Sequence, residues 1–182
     1  TSLTNRLGIM ATEPGITTID LSDYDIGTVF TFQDDQYDGV LDGVYQIQLN
    51  QYETFVFEAY KGSNNSGNIG NIDGWLGSSI TSDKDIVISN GGLNVSVRNN
   101  NAGRDGGIDQ PVPISVLDVL KQEYVFIRGN GDANNETEFP IIIATQDNTE
   151  IFVNNSATPI ATLDEGEYFE IPGSNYSAGT VG

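Results

Sequence analysis

The apolar residues of this chain come in short runs, rich in β-branched and aromatic side chains, and each run is closed by Asn, Gly, Asp or Ser. That is the pattern of strands separated by turns, because branched and aromatic side chains suit a pleated surface while the closing residues tolerate tight backbone. The runs predict strands at Leu7–Thr12, Thr17–Leu21, Thr28–Gln33, Val44–Asn50, Thr54–Tyr60, Leu76–Thr81, Ile86–Ser89, Leu93–Val97, Tyr124–Arg128, Phe139–Thr145, Glu150–Asn154 and Tyr168–Ile171. Strands recurring every roughly 8–12 residues point to an all-β, sandwich-like fold. One segment departs from the pattern: Val112–Gln122 has Pro113 near its start and apolar residues at 116, 117 and 120, and reads equally as a short helix or a loop. Polar, glycine-rich stretches at 62–74, 99–109 and 129–138 predict long loops, the second of them a connection between two halves.

The halves resemble each other. Ile9-Met10-Ala11-Thr12-Glu13 followed by Thr17-Thr18-Ile19-Asp20-Leu21 matches Ile142-Ile143-Ala144-Thr145-Gln146 followed by Thr149-Glu150-Ile151-Phe152-Val153, with one extra turn residue in the first copy. Leu49 to Phe57 then aligns without gaps on Leu163 to Ile171, Gly62-Ser63-Asn64 on Gly173-Ser174-Asn175, and Leu76-Gly77 on Val181-Gly182. This predicts an internal repeat of one β unit. The expected organisation is a first β unit at 1–98, a connecting segment at 99–123 and a second, incomplete unit at 124–182, forming one continuous body. Ala11 and Leu49 are 38 positions apart and Ala144 and Leu163 are 19 apart, so the first unit carries a 19-residue insertion near 23–41. The acids Asp23, Asp25, Asp34, Asp35 and Asp38 gather there, with Asp42 just after. Insertions in a repeat unit fall on loops, where specific function often resides. In the first copy Leu76-Gly77 continues into Ser78–Ile88; the matching residues would follow Gly182, so the natural polypeptide is expected to continue with a strand of that type.

Composition removes whole classes of chemistry. The chain has no Cys and no His, so disulfides, thiol nucleophiles, Ser-His-Asp catalysis and ordinary zinc or copper sites are excluded. Seven basic residues stand against 26 acidic ones, a formal charge of −19 that repels nucleic acid and disfavours anionic lipid. It favours divalent cations or basic partners. No apolar run approaches the ~20 residues needed to span a bilayer, so direct membrane insertion is not expected. A polar start at Thr1-Ser2 reads as a mature or excised fragment whose targeting signals lie elsewhere.

Three segments carry a family resemblance. They are Gly77-Ser78-Ser79-Ile80-Thr81-Ser82-Asp83-Lys84-Asp85-Ile86-Val87-Ile88; Asp109-Gln110-Pro111-Val112-Pro113 leading to Glu123-Tyr124-Val125-Phe126; and Ala144 to Ile151 preceding Leu163-Asp164-Glu165-Gly166-Glu167. With them the chain resembles the domain named after the N-terminal part of the IgGFc-binding protein, as found in very large Bacteroidota cell-surface proteins, including adhesin-like substrates of gliding and secretion systems. The resemblance covers most of the chain. It implies an extracellular β module with adhesive or scaffold roles at a bacterial cell surface. It does not carry over Fc binding, for which no residue motif is available. One departure is Asp118-Val119-Leu120-Lys121, where a Leu-Gly step before the Tyr strand is usual; a local bulge or helical turn is expected there.

Candidate sites divide between ligand chemistry and plain structure. Asp132, Asn134 and Glu136 place oxygens at alternate positions of a Gly/Asn-rich turn, and Asp34, Asp35 and Asp38 form a second cluster. Either set offers the hard oxygens that calcium takes, the one cofactor the sequence suggests, though neither has EF-hand spacing; the competing reading is a solvated acidic turn. Trp75, the only tryptophan, sits between Gly74 and Leu76-Gly77 and could stack on a sugar or anchor a protein; its second-copy counterpart is Thr180, so it also reads as cover for a sheet end. Glu165 and Glu167 raise the carboxylate-pair chemistry of glycoside hydrolysis, but their counterparts Gln51 and Glu53 mark them as parts of a repeated turn. Lys84, between Asp83 and Asp85, reads as a solvated ion pair rather than the source of a Lys–Asn bond. The expected function is a non-enzymatic adhesion or scaffold module binding a surface glycan or protein through its loops and flanked by neighbouring modules of the same polypeptide. The alternatives are a strand-complemented fibre or filament subunit and a carbohydrate-active hydrolase domain.

Overall fold

The computed structural model describes residues 3–24, 44–62, 76–95, 105–114, 123–127, 140–172 and 175. Eleven strands lie among them, all paired antiparallel, and no α-helix. The chain divides into two compact units, one of Thr1–Ser96 with Gly103–Pro111, the other of Val97–Ala102 with Val112–Gly182.

The first unit is built from β1 (Leu3–Ala11), β2 (Thr17–Ser22), β3 (Tyr45–Leu49), β4 (Thr54–Gly62), β5 (Ser79–Ser82), β6 (Ile86–Val95) and β7 (Asp105–Asp109). They form a four-stranded sheet in the order β4-β1-β6-β7 and a three-stranded sheet in the order β3-β2-β5. Strand side chains alternate between faces, and the sequence alternates with them. Leu7, Ile9 and Ala11 of β1 are buried, as are Thr17, Ile19 and Leu21 of β2 and Tyr45, Ile47 and Leu49 of β3. All but Thr17 join Phe57 in one core drawn from both sheets, which is the layered arrangement expected of a sandwich. A slip of one residue in any of these strands would turn its buried set to solvent, so the register is strongly specified. Phe57 seals the core by edge contacts with Tyr45, at a centroid distance of 4.6 Å, and with Phe55, at 4.9 Å.

The second unit contains β8 (Ile141–Ile143), β9 (Thr149–Ile151), β10 (Ala161–Leu163) and β11 (Tyr168–Glu170). Its pairs are β8 with β11 and β9 with β10. Ala144, Ile151 and Leu163 are its buried centre, with Ile142, Ala161 and Phe169 packed against them.

Several expectations need correction. Ile86–Ser89 and Leu93–Val97 are not two strands: β6 runs unbroken through Asn90-Gly91-Gly92. The stretch at 99–109, expected as a loop and a connection, contains β7, which pairs with β6. Both misreadings have one cause, because glycines that look like turn formers here allow two backbones to approach. A Cβ at Gly91 would lie 2.2 Å from the Gly107 carbonyl oxygen. β5 starts later than expected because Leu76-Gly77 is a turn, with φ 87° at Gly77. Tyr124–Arg128 is not a regular strand over its described residues, 123–127; only Ile127 makes a bridge. Tyr124, Val125 and Ile127 are exposed there, without the burial that would hold a strand. β10 was not expected, since Ala161-Thr162-Leu163 is too short a run to stand out. The segments Thr28–Gln33 and 115–122 lie outside the described residues, and Val112 and Ile114 at the start of the proposed helix are exposed.

Candidate functional site

Two ends of the first unit's three-stranded sheet differ in what they carry. At one end β2 leaves through Ser22, β3 enters at Tyr45 opposite Leu21, and β5 enters at Ser79 opposite Ser22. The segment between Ser22 and Tyr45 therefore departs from and returns to neighbouring strands. The 62–75 segment returns to the same end through Leu76-Gly77. Asp23 opens that segment in a left-handed conformation, φ 59°, and accepts a hydrogen bond from Ser22 Oγ at 2.9 Å. Asp and Asn tolerate that conformation better than other side-chain-bearing residues. The next residue, Tyr24, packs back on the core and fixes the departure. Asp34, Asp35, Asp38, Trp75, Asp132, Asn134 and Glu136 lie outside the described residues. Among the described residues no three acidic side chains converge as metal donors.

The opposite end is a closed corner. Asp83 N donates to Thr18 O at 3.2 Å and its Oδ1 accepts from Thr18 N at 2.8 Å. Asp85 O accepts from Thr12 N at 3.3 Å and from Thr12 Oγ1 at 2.8 Å. Lys84 Nζ donates to Pro14 O at 2.9 Å. The Ser82–Asp85 corner thus clasps the β1–β2 turn. Asp83-Lys84-Asp85 looked like a solvated ion pair in sequence; its position between two strands, with a short polar side chain able to cap a backbone N–H, was the signal of this other role.

The β1–β4 junction and the β8–β11 junction close with matching bonds. Ala11 N donates to Glu53 O and Tyr52 N to Ala11 O, at 3.2 and 2.8 Å; Ala144 N donates to Glu167 O and Gly166 N to Ala144 O, both at 2.9 Å. Glu53 N reaches Asn50 O and Glu167 N reaches Asp164 O, each at 3.0 Å. The two carboxylates then accept from Asn50 N at 2.7 Å and Asp164 N at 2.9 Å. Glu167 is therefore occupied in holding a turn, as Glu53 is. The strand registers agree as well: Thr17 faces Leu49 and Ile19 faces Ile47, while Thr149 faces Leu163 and Ile151 faces Ala161.

A family model described as IgGFc binding protein matches residues 1–180. No curated protein and no solved structure matches the chain. No helix among the described residues is long and apolar enough to cross a membrane. A framework of antiparallel strands, matched over residues 1–180 by one family model, places the chain in the IgGFc-binding-protein family, a family of binding domains.

Proposed function

We propose that the chain is an extracellular adhesion or scaffold module of a large bacterial cell-surface protein, and that it binds through the segments at one end of the β3-β2-β5 sheet. The observation that carries this reading is the convergence of the insertion and the 62–75 segment on that end, at Ser22, Tyr45 and Ser79. A packed sandwich beneath gives loops a rigid mount, so their binding is not diluted by motion of the frame. On this reading Asp34, Asp35 and Asp38 are the cation or basic-ligand donors of the insertion and Trp75 is the apolar anchor of the 62–75 segment. Asp132, Asn134 and Glu136 form a separate cation-donor set in the second unit.

The test is a binding screen of the full chain against a glycan array and an immunoglobulin Fc fragment, repeated with residues 25–42 replaced by a short Gly/Asn turn. Binding to either probe that is lost on replacement, with the melting temperature little changed, supports the reading. Binding that survives the replacement, or no binding to either probe, counts against it.

A further inference from the structure

We infer that the closed end of the first unit is a second recognition surface anchored by the Tyr52 ring, and that its ligand is a basic peptide segment whose arginine or lysine side chain lies over that ring. The inference is independent of the loop reading, whose segments leave from the opposite end of the β3-β2-β5 sheet.

Tyr52 occupies a position that suits glycine. Its φ is 66°, and the matching position in the second unit is Gly166, at φ 82°. A bulky side chain in the left-handed region costs stability, and at 70% exposure Tyr52 recovers little of that cost by burial. Both turns close with the same backbone bonds, so the ring is not needed to build the turn. Backbone strain of this kind gathers at positions that contact ligands.

The ring stands on a rigid mount. Tyr52 N donates to Ala11 O at 2.8 Å and Gln51 Nε2 to Thr12 O at 2.9 Å, which ties the β3–β4 turn to the β1–β2 turn. β1 lies between β4 and β6, so Glu53, bonded to Ala11, and Asp85, bonded to Thr12, flank its end from either side. Pro14 and Ile16 of the β1–β2 turn are exposed, Ile16 at 54%. Glu13, Glu53, Asp83 and Asp85 are exposed in the same three turns. Against these acids the three turns hold one basic residue, Lys84, whose ammonium donates to Pro14 O at 2.9 Å.

An aromatic face attracts a cation, and flanking carboxylates steer its approach. An exposed aromatic anchor with apolar neighbours and a charged rim is the anatomy of a protein-binding hot spot, and a mount already fixed by hydrogen bonds loses little entropy on binding. The same carboxylates repel an acidic or phosphorylated partner.

The experiment titrates the full chain with a short labelled peptide of alternating Gly and Arg, by fluorescence anisotropy at physiological salt, where diffuse attraction to the acidic surface is screened. Saturable binding is expected, with the largest peptide-induced amide shifts in NMR spectra at Glu13, Tyr52 and Asp85. Tyr52→Gly weakens binding about two- to fivefold without loss of stability, and Tyr52→Phe, which keeps the ring, does not. Glu13→Gln added to Tyr52→Gly weakens it further. A peptide of alternating Gly and Glu does not bind. The inference is overturned if the Gly/Arg peptide fails to bind, if it binds the parent and Tyr52→Gly chains equally, or if its shifts fall away from this end. Binding of the Gly/Glu peptide overturns it as well.

Discussion

Tyr52 and Gly166 stand at the same point of two matching turns: φ is 66° at one and 82° at the other, and each N–H donates to the carbonyl of a buried alanine, Ala11 or Ala144. The left-handed conformation costs a side-chain-bearing residue about 1–2 kcal/mol. Tyr52 is 70% exposed and recovers little of that by burial. Tyr52→Gly is therefore expected to leave stability unchanged or raise it by up to about 1 kcal/mol, part of the relief being offset by chain entropy. Gly166→Val should lower it by about 1–2 kcal/mol. Urea midpoints of the two variants check the opposite signs.

Glu53 and Glu167 each hold a backbone N–H within their own turn. Removing either carboxylate, as Glu53→Ala or Glu167→Ala, is expected to cost a similar amount, about 0.5–1.5 kcal/mol. Glutamine keeps an acceptor and should restore much of it. Thermal melts of the four variants test this; a large loss at one site with none at the other would show that the turns are not equivalent.

Gly91 and Gly107 differ although both lie in the β6–β7 ladder. A Cβ at Gly91 meets the Gly107 carbonyl oxygen at 2.2 Å and Ile108 Cα at 2.9 Å, whereas a Cβ at Gly107 meets nothing within 4 Å. Gly91→Ala is expected to destabilise by about 1–3 kcal/mol, since backbone must move to admit it. Gly107→Ala should stay within about 0.5 kcal/mol of the parent chain. Denaturant titration of the pair separates a close strand contact from a flexible link, which would accept both.

Arg6 and Glu58 face each other across β1 and β4 and form an ion pair. Glu58 is buried at 7% exposure while the Arg6 side chain is half exposed. Arg6→Ala strands a buried carboxylate, with an expected cost of about 1–3 kcal/mol. Adding Glu58→Gln to that variant should recover part of the loss, because the neutral amide is less costly to bury than an unpaired charge. A double-mutant cycle in urea measures both steps.

The parts of this architecture legible in the sequence are those where one residue type has one meaning. Alternating Leu7, Ile9, Ala11 and Thr17, Ile19, Leu21 announce half-buried strands, and the gap-free match of Leu49–Phe57 to Leu163–Ile171 announces turns that close alike. Glycine has two meanings, a tight turn or a close backbone approach, and only a partner strand decides between them; hence the sequence pattern divides β6 and reads β7 as a connection. Tyr124-Val125-Phe126-Ile127 has strand composition, yet composition does not supply the neighbour a strand needs. The acidic corner at Asp83–Asp85 hides its role in the sequence for the same reason, since its partners Thr12, Pro14 and Thr18 are some 65 to 73 residues away in the chain. The calcium and Trp75 proposals rest on residue chemistry alone.

Amide hydrogen exchange, followed residue by residue by NMR on the full chain, reads both junctions together. The N–H groups of Ala11, Tyr52, Ala144 and Gly166 should all be protected, as should those of Met10 and Gly8 under β6. Fast exchange at Ala144 and Gly166, with Ala11 and Tyr52 protected, would contradict a second unit that repeats the first junction.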